Sequence, residues 1–172
     1  MFKIDFDNPL TLSVIMPKRD SINHYFEHIL GISMPFYVDK ISYEKEKENE
    51  NEKDETHVYV EYHKALRFTS PCCKEKESQR KRVHARTWRA LNMGNNQTYI
   101  HMNLPSVKCN KCGKTQVIDV PWARKSCNFT YEFEQKIVAY AEYMPNSAIA
   151  KTLEESDKVI SDIMQYNTSK QD

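Results

Sequence analysis

Glycine is scarce in this chain of 172 residues, with only 3. Tight glycine-rich phosphate loops are therefore nearly excluded, and neither GxGxxG nor a GxxxxGK loop occurs. No apolar run approaches the ~20 residues of a membrane helix, which argues against a membrane partner. Met1 to Leu10 carries Asp5 and Asp7 and lacks the apolar stretch of a signal peptide, so a cytoplasmic location is expected. The five cysteines, Cys72, Cys73, Cys109, Cys112 and Cys127, are odd in number and come without a secretion signal. That argues against a disulfide framework and for metal ligation.

What is present is an apolar fraction of 40% with 11% aromatics, enough to bury a core. The net charge of +1 conceals a strong asymmetry. Residues 64–125 hold 14 basic and 3 acidic side chains, whereas 41–56 hold 3 basic and 7 acidic, and 126–172 hold 4 and 8. A positive block between acidic flanks is the footprint of a polyanion-binding segment.

The patterning predicts an α+β fold in three parts. Residues 1–63 read as a helix over 21–32 followed by strands at Tyr37–Tyr43 and His57–His63, with a charged, solvated loop at 44–55. Residues 64–125 read as a small β-rich unit. It contains a hairpin from Val83–Leu91 and Thr98–Leu104 around Gly94-Asn95-Asn96, and a short strand at Thr115–Val120 before Pro121. Residues 126–172 turn helical. Phe133, Ile137, Val138, Tyr140 and Ala141 recur at helical spacing, Pro145-Asn146-Ser147 starts a second helix, and Ser156 caps a third. This is a helix-turn-helix layout. Trp88 and Trp122 read as core anchors, because so small a unit needs apolar mass.

Cys109-Asn110-Lys111-Cys112-Gly113 is the strongest local signal. Two thiolates two residues apart can share one zinc ion, and the glycine tolerates the left-handed turn that wraps the sulfurs. The partner pair is Cys72 and Cys73, after Pro71, and the intervening hairpin makes a zinc ribbon. Adjacent cysteines in a strand point to opposite sides, so the fourth ligand is open among Cys72, His84, His63 and His101. No HExxH or HxE…PCxxC pattern supports catalytic zinc. Cys127 reads as a free thiol.

The runs Asn103 to Lys114, Val120-Pro121-Trp122-Ala123-Arg124, and Phe129-Thr130 with Phe133-Glu134 resemble the N-terminal region of a group of bacterial insertion-sequence transposases. So do Ile29-Leu30-Gly31-Ile32 and Ala148-Ile149-Ala150 through Ser161-Asp162-Ile163. The resemblance covers roughly residues 25–165. It implies a zinc-binding domain and a helix-turn-helix that recognise transposon ends ahead of a DDE-type catalytic domain. The family usually has Cys-Pro-x-Cys in its first zinc knuckle; here the string is Ser70-Pro71-Cys72-Cys73. The chain stops at Asp172, before the family's catalytic acids, so a non-enzymatic module is expected.

Double-stranded DNA is then the expected partner, with RNA or a ribonucleoprotein and a homodimer left open. The candidate contacts are Arg80, Lys81, Arg82, Arg86, Arg89, Lys108, Lys111 and Lys114 on or near the ribbon hairpin. Strand alternation would align Arg80, Arg82, His84 and Arg86 on one face. Lys158, Ser161 and Gln165 are the expected base-reading positions of the third helix. The acidic Glu154, Glu155, Asp157 and Asp162 oppose that role. The alternative is a mobile-element-derived inhibitor of a host protein or ribonucleoprotein, such as a CRISPR nuclease.

Overall fold

In a computed structural model, residues 21–44, 54–65, 67–74 and 79–169 are described. They form an α+β fold. Helix α1 (Ser21–Ile29) precedes strands β1 (Phe36–Glu44), β2 (Glu55–Tyr62), β3 (Gln79–Met93), β4 (Asn96–Lys108) and β5 (Thr115–Val117). Helices α2 (Tyr131–Ala141), α3 (Asn146–Leu153) and α4 (Asp157–Thr168) follow.

The five strands make one mixed sheet in the order β1-β2-β4-β3, with β5 also paired to β4. β1 and β2 are antiparallel and meet at Glu44↔Glu55, so the charged segment between them closes a hairpin; its residues 45–53 lie outside the described residues. β2 and β4 run parallel, pairing Glu55 to Val60 with Gln97 to Met102. The expected boundary at 63/64 therefore cuts through one continuous sheet. Val58 and Val60 of β2 and Ile100, Met102 and Leu104 of β4 are all buried in a shared core with Phe26, Phe36 and Trp88. Period-2 alternation makes this possible, because each strand turns every second side chain to the same layer.

The β3–β4 hairpin is longer than the pattern suggested. Gly94, at φ 64°, takes the first position of the two-residue turn between Met93 and Asn96, a conformation open to glycine without strain. The register slips between Arg80 and Val83, where two residues of β3, Lys81 and Arg82, face one of β4, Ser106. Ser106 fixes this bulge: its Oγ accepts from the Arg82 N–H at 2.9 Å and donates to the Arg82 carbonyl at 3.1 Å. The bulge interrupts the regular ladder on which the expected alignment of Arg80 with Arg82, His84 and Arg86 depended.

Trp88 and Trp122 are buried and meet edge to face with centroids 5.6 Å apart. The helices have a second core of Phe133, Ile137, Ile149, Ala150, Ile160 and Ile163. Thr130 and Ser156 cap α2 and α4, each accepting from the backbone N–H three residues on. Glu154, in the left-handed region at φ 60°, turns the chain between α3 and α4.

Arg89 joins the two cores. Its N–H donates to the Asn128 carbonyl at 2.7 Å, and its carbonyl accepts from the Thr130 N–H at 3.0 Å. Its guanidinium donates to the Ala90 and Thr98 carbonyls and to Asn92 Oδ1, and lies between the Tyr99 and Phe133 rings. Glu155 Oε1 sits 3.7 Å from its Nε. The residue is only 4% exposed, so Arg89 is withdrawn from the phosphate-contact set: a guanidinium committed to the interior cannot meet DNA. Burial pushes the Glu155 carboxyl above its usual range, and Arg89 opposes that. At 3.7 Å the pair lies beyond hydrogen-bond distance, so this partner contributes less than the carbonyls. Arg89→Ala should lower the unfolding free energy by about 3 kcal/mol in chemical denaturation, and Glu155→Gln by less than about 1 kcal/mol. Equal losses would show that the ion pair carries the joint.

Candidate metal centre and nucleic-acid interface

Two turns of matching shape meet at the end of the β3–β4 hairpin. In the first, the Lys74 N–H donates to the Ser70 carbonyl at 3.0 Å and Lys74 has φ 57°. In the second, the Gly113 N–H donates to the Cys109 carbonyl at 2.8 Å and Gly113 has φ 72°. A further bond, from the Cys109 N–H to the Lys114 carbonyl at 2.8 Å, closes the second turn onto the strand end. Each turn rolls the backbone around its side chains, and each ends in a left-handed residue.

The metal-binding atoms of Cys72, Cys73, Cys109 and Cys112 all lie within 4.8 Å of one another. Cys72 Sγ and Cys112 Sγ are 3.4 Å apart. Tetrahedral zinc, with bonds of about 2.3 Å, holds its sulfurs about 3.8 Å apart, so four thiolates at this spacing fit such an ion. Both adjacent cysteines reach the cluster because they sit in a turn; the opposed directions expected of a strand do not apply. The histidine alternatives are elsewhere. His84 is exposed on β3 and lines a cleft with Trp88. His63 packs on the Tyr37 ring at 4.7 Å. His101 is bonded to His57 at 2.8 Å and Thr87 at 3.0 Å. Cys127 is buried, donating to Glu134 Oε1 at 2.8 Å.

Superposing the two turns in sequence places Ser70 opposite Cys109 and Cys73 opposite Cys112. Ser70 thus holds the position of a first ligand, and Cys72 supplies the sulfur from within the turn. Buried Ser70 donates to Cys109 Sγ at 3.4 Å. That hydroxyl, with the backbone N–H groups of Cys112 and Lys111, brings the Cys109 thiol down to about 6. Its bond to Cys112, with burial, pushes Cys73 up to about 12, and burial raises Cys72. One thiolate is therefore ready at neutral pH, while Cys72 and Cys73 must each lose a proton to ligate.

Arg82 is exposed, as are Lys108, Lys111 and Lys114 around the second turn. The side chains of Arg80 and Lys81 lie outside the described residues. Arg86 is half-buried; its Nη2 donates to the Cys127 carbonyl at 3.0 Å and to Asn128 Oδ1 at 3.1 Å, so it braces the start of the helical unit. Lys158, Ser161 and Gln165 are exposed on α4, and so are Asp157 and Asp162. Sequence reasoning missed Lys125, exposed beside the cleft, and the part played by Arg124. The Arg124 Nε donates to Glu134 at 2.7 Å, and its guanidinium lies 3.7 Å from the centre of the Tyr166 ring. The basic pair after Trp122 was the available signal.

A four-cysteine cluster at the open end of a basic hairpin, fastened to three short helices, fits a metal- and nucleic-acid-binding class of protein. The comparisons sharpen this. Residues 69–112 match the zinc-finger of transposase IS204/IS1001/IS1096/IS1165, and residues 118–166 match the helix-turn-helix domain of transposase family ISL3. The chain is also 23% identical over 128 residues to the transposase for insertion sequence element IS1557 from two strains of Mycobacterium tuberculosis. That alignment covers 74% of this chain and 28% of each relative, so the chain spans little more than a quarter of their length. No solved structure matches it. Over residues 69–112 and 118–166 the chain is thus similar to the zinc-finger and helix-turn-helix regions of insertion-sequence transposases.

Two outcomes follow for the cluster. Metal uptake displaces at least the Cys72 and Cys73 protons, so zinc affinity should rise at least about 100-fold per pH unit between pH 6 and 8. Competition with a chromophoric chelator reads this; a flat profile would contradict it. In the same assay Cys72→Ala should bind zinc at least about 10-fold more weakly, and Ser70→Cys in that background should restore affinity. Failure of the rescue would show that the two turns are not equivalent.

Proposed function

We propose that this chain is a non-catalytic DNA-binding module of the transposon-end-recognition type, with a structural zinc ion held by Cys72, Cys73, Cys109 and Cys112. The carrying observation is that the cysteine cluster closes the hairpin end while leaving Lys108, Lys111 and Lys114 exposed around it. Four sulfurs would complete the zinc coordination shell and leave no open position for chemistry. The ion's work is then to hold two turns together, and the lysines supply affinity for phosphates. The matched family models describe a zinc-finger and a helix-turn-helix domain of transposases, which supports the same reading.

Helices α2, α3 and α4 act as the helix-turn-helix, with α4 entering the major groove and Lys158, Ser161 and Gln165 meeting base edges. Asp157 and Asp162 on α4 repel phosphates, so the ribbon carries most of the electrostatic attraction. Exposed Arg82 extends the basic surface along β3. Arg89 serves the fold, and Arg86 braces it through one nitrogen. A cytoplasmic setting goes with this role. No observation favours the inhibitor alternative.

The test is fluorescence anisotropy of a labelled random duplex across a salt series. If Arg82, Lys108, Lys111, Lys114 and Lys158 each neutralise one phosphate, log K should fall with log salt at a slope of about −4 to −5. Replacing Lys108, Lys111 and Lys114 together by Ala should flatten it by about 3. Absence of duplex binding at low salt would end the reading. A slope unchanged by the triple replacement would move the interface off the ribbon.

A further inference from the structure

A cleft of about 410 Å³ opens between the sheet and the start of the helical unit, and the reading above leaves it without a role. Its volume lies within the range of small-ligand sites, roughly 300–1,000 Å³. Its walls are of two kinds. Val117 and Val120 present apolar surface beside buried Trp88, whose Nε1–H has no hydrogen-bond partner among the described residues. Arg86, Lys125 and Asp119 bring charge to the same space.

Arg86 is the informative group. Its Nη2 is held by the Cys127 carbonyl and Asn128, and its guanidinium lies 5.3 Å from the centre of the Trp88 ring. Its Nη1 and Nε make no hydrogen bond among the described residues. A guanidinium pinned by one nitrogen offers its remaining N–H groups with little ordering left to do on binding. Lys125 is exposed beside it.

A bare phosphate would leave the apolar wall unused, and an apolar ligand would leave two cations unused. A nucleotide has both parts: a flat ring for the valines and a phosphate for Arg86 and Lys125. Asp119 can accept from an exocyclic amino group, as carboxylates do from cytosine N4. A base stacked within a duplex cannot enter such a cleft, so the nucleotide must be unpaired. We propose that the cleft takes one unpaired nucleotide of the DNA bound by the module, with its base on Val117 and Val120 and its phosphate against Arg86 and Lys125. This rests on the DNA-binding reading.

Three labelled duplexes of one sequence test it: fully paired, with a single bulged deoxycytidine, and with an abasic residue in the bulge. A base seated on the valine wall buries apolar surface that an abasic residue cannot, so the zinc-loaded protein should bind the base-bearing bulge at least about 10-fold more tightly than the abasic one. Val117→Trp, which fills the cleft, should erase that preference while paired-duplex affinity stays within about twofold; Val120→Phe serves if the first variant fails to melt cooperatively. Equal affinity of the unaltered protein for the two bulges, or a preference surviving a folded filled variant, overturns the proposal and leaves the DNA module standing. No binding to any of the three duplexes overturns both.

Discussion

The buried Arg89 is the point on which the arrangement turns. One residue of β3 bonds through its backbone to Asn128 and Thr130, and through its side chain to the carbonyls of Ala90 and Thr98. A guanidinium is an apt group for the purpose. It offers five fixed N–H donors and stays charged, so it can satisfy several carbonyls at once in a space that water does not fill. Its burial costs desolvation, and the Tyr99 and Phe133 rings and the ring of acceptors offset that. Arg86, three residues earlier on β3, repeats the device at the cleft by holding Cys127 and Asn128. The helical unit is thereby set against the sheet at the edge where the basic hairpin emerges.

The cysteine cluster works on a different principle. Neither turn buries much apolar surface, and Cys72 and Cys112 are exposed. Their geometry comes from backbone bonds closed by left-handed residues, Lys74 and Gly113. A metal ion held there would clamp two turns whose own shapes the chain already dictates. The sheet has its own core, shared between β1–β2 and β3–β4, so the ribbon is not a free-standing metal-dependent fold. The Ser70-for-cysteine departure is absorbed because Cys72, one turn position from Cys73, reaches the same space.

The proposed division of labour follows from charge and exposure. Around the second turn the lysines point to solvent, while two of the arginines on β3 serve the interior. Lysine's compact, strongly hydrated ammonium suits a surface that meets phosphates; arginine's planar fork suits a buried joint. A count of positive residues between 64 and 125 treats both alike, and overstates the surface available to DNA.

Local rules were enough for much of this chain. Alternation marked the strands, helical spacing marked α2 to α4, Ser156 announced its cap, and the Cys-x-x-Cys-Gly string announced a metal turn; each of these depends on residues within a few positions of one another. What local rules could not supply was anything set by non-local pairing. The parallel union of β2 with β4, the bulge that interrupts the β3–β4 ladder, and the burial of Arg89 against α2 all depend on which surfaces meet. Cys72 and Cys73 show the limit most clearly: as neighbours in a strand they would diverge, and only the turn closed by Lys74 onto Ser70 brings both sulfurs to Cys109 and Cys112. Residue types and spacings thus determined the elements and the candidate ligands. The tertiary structure decided which charges face solvent, because burial belongs to the assembled surfaces and not to any one segment.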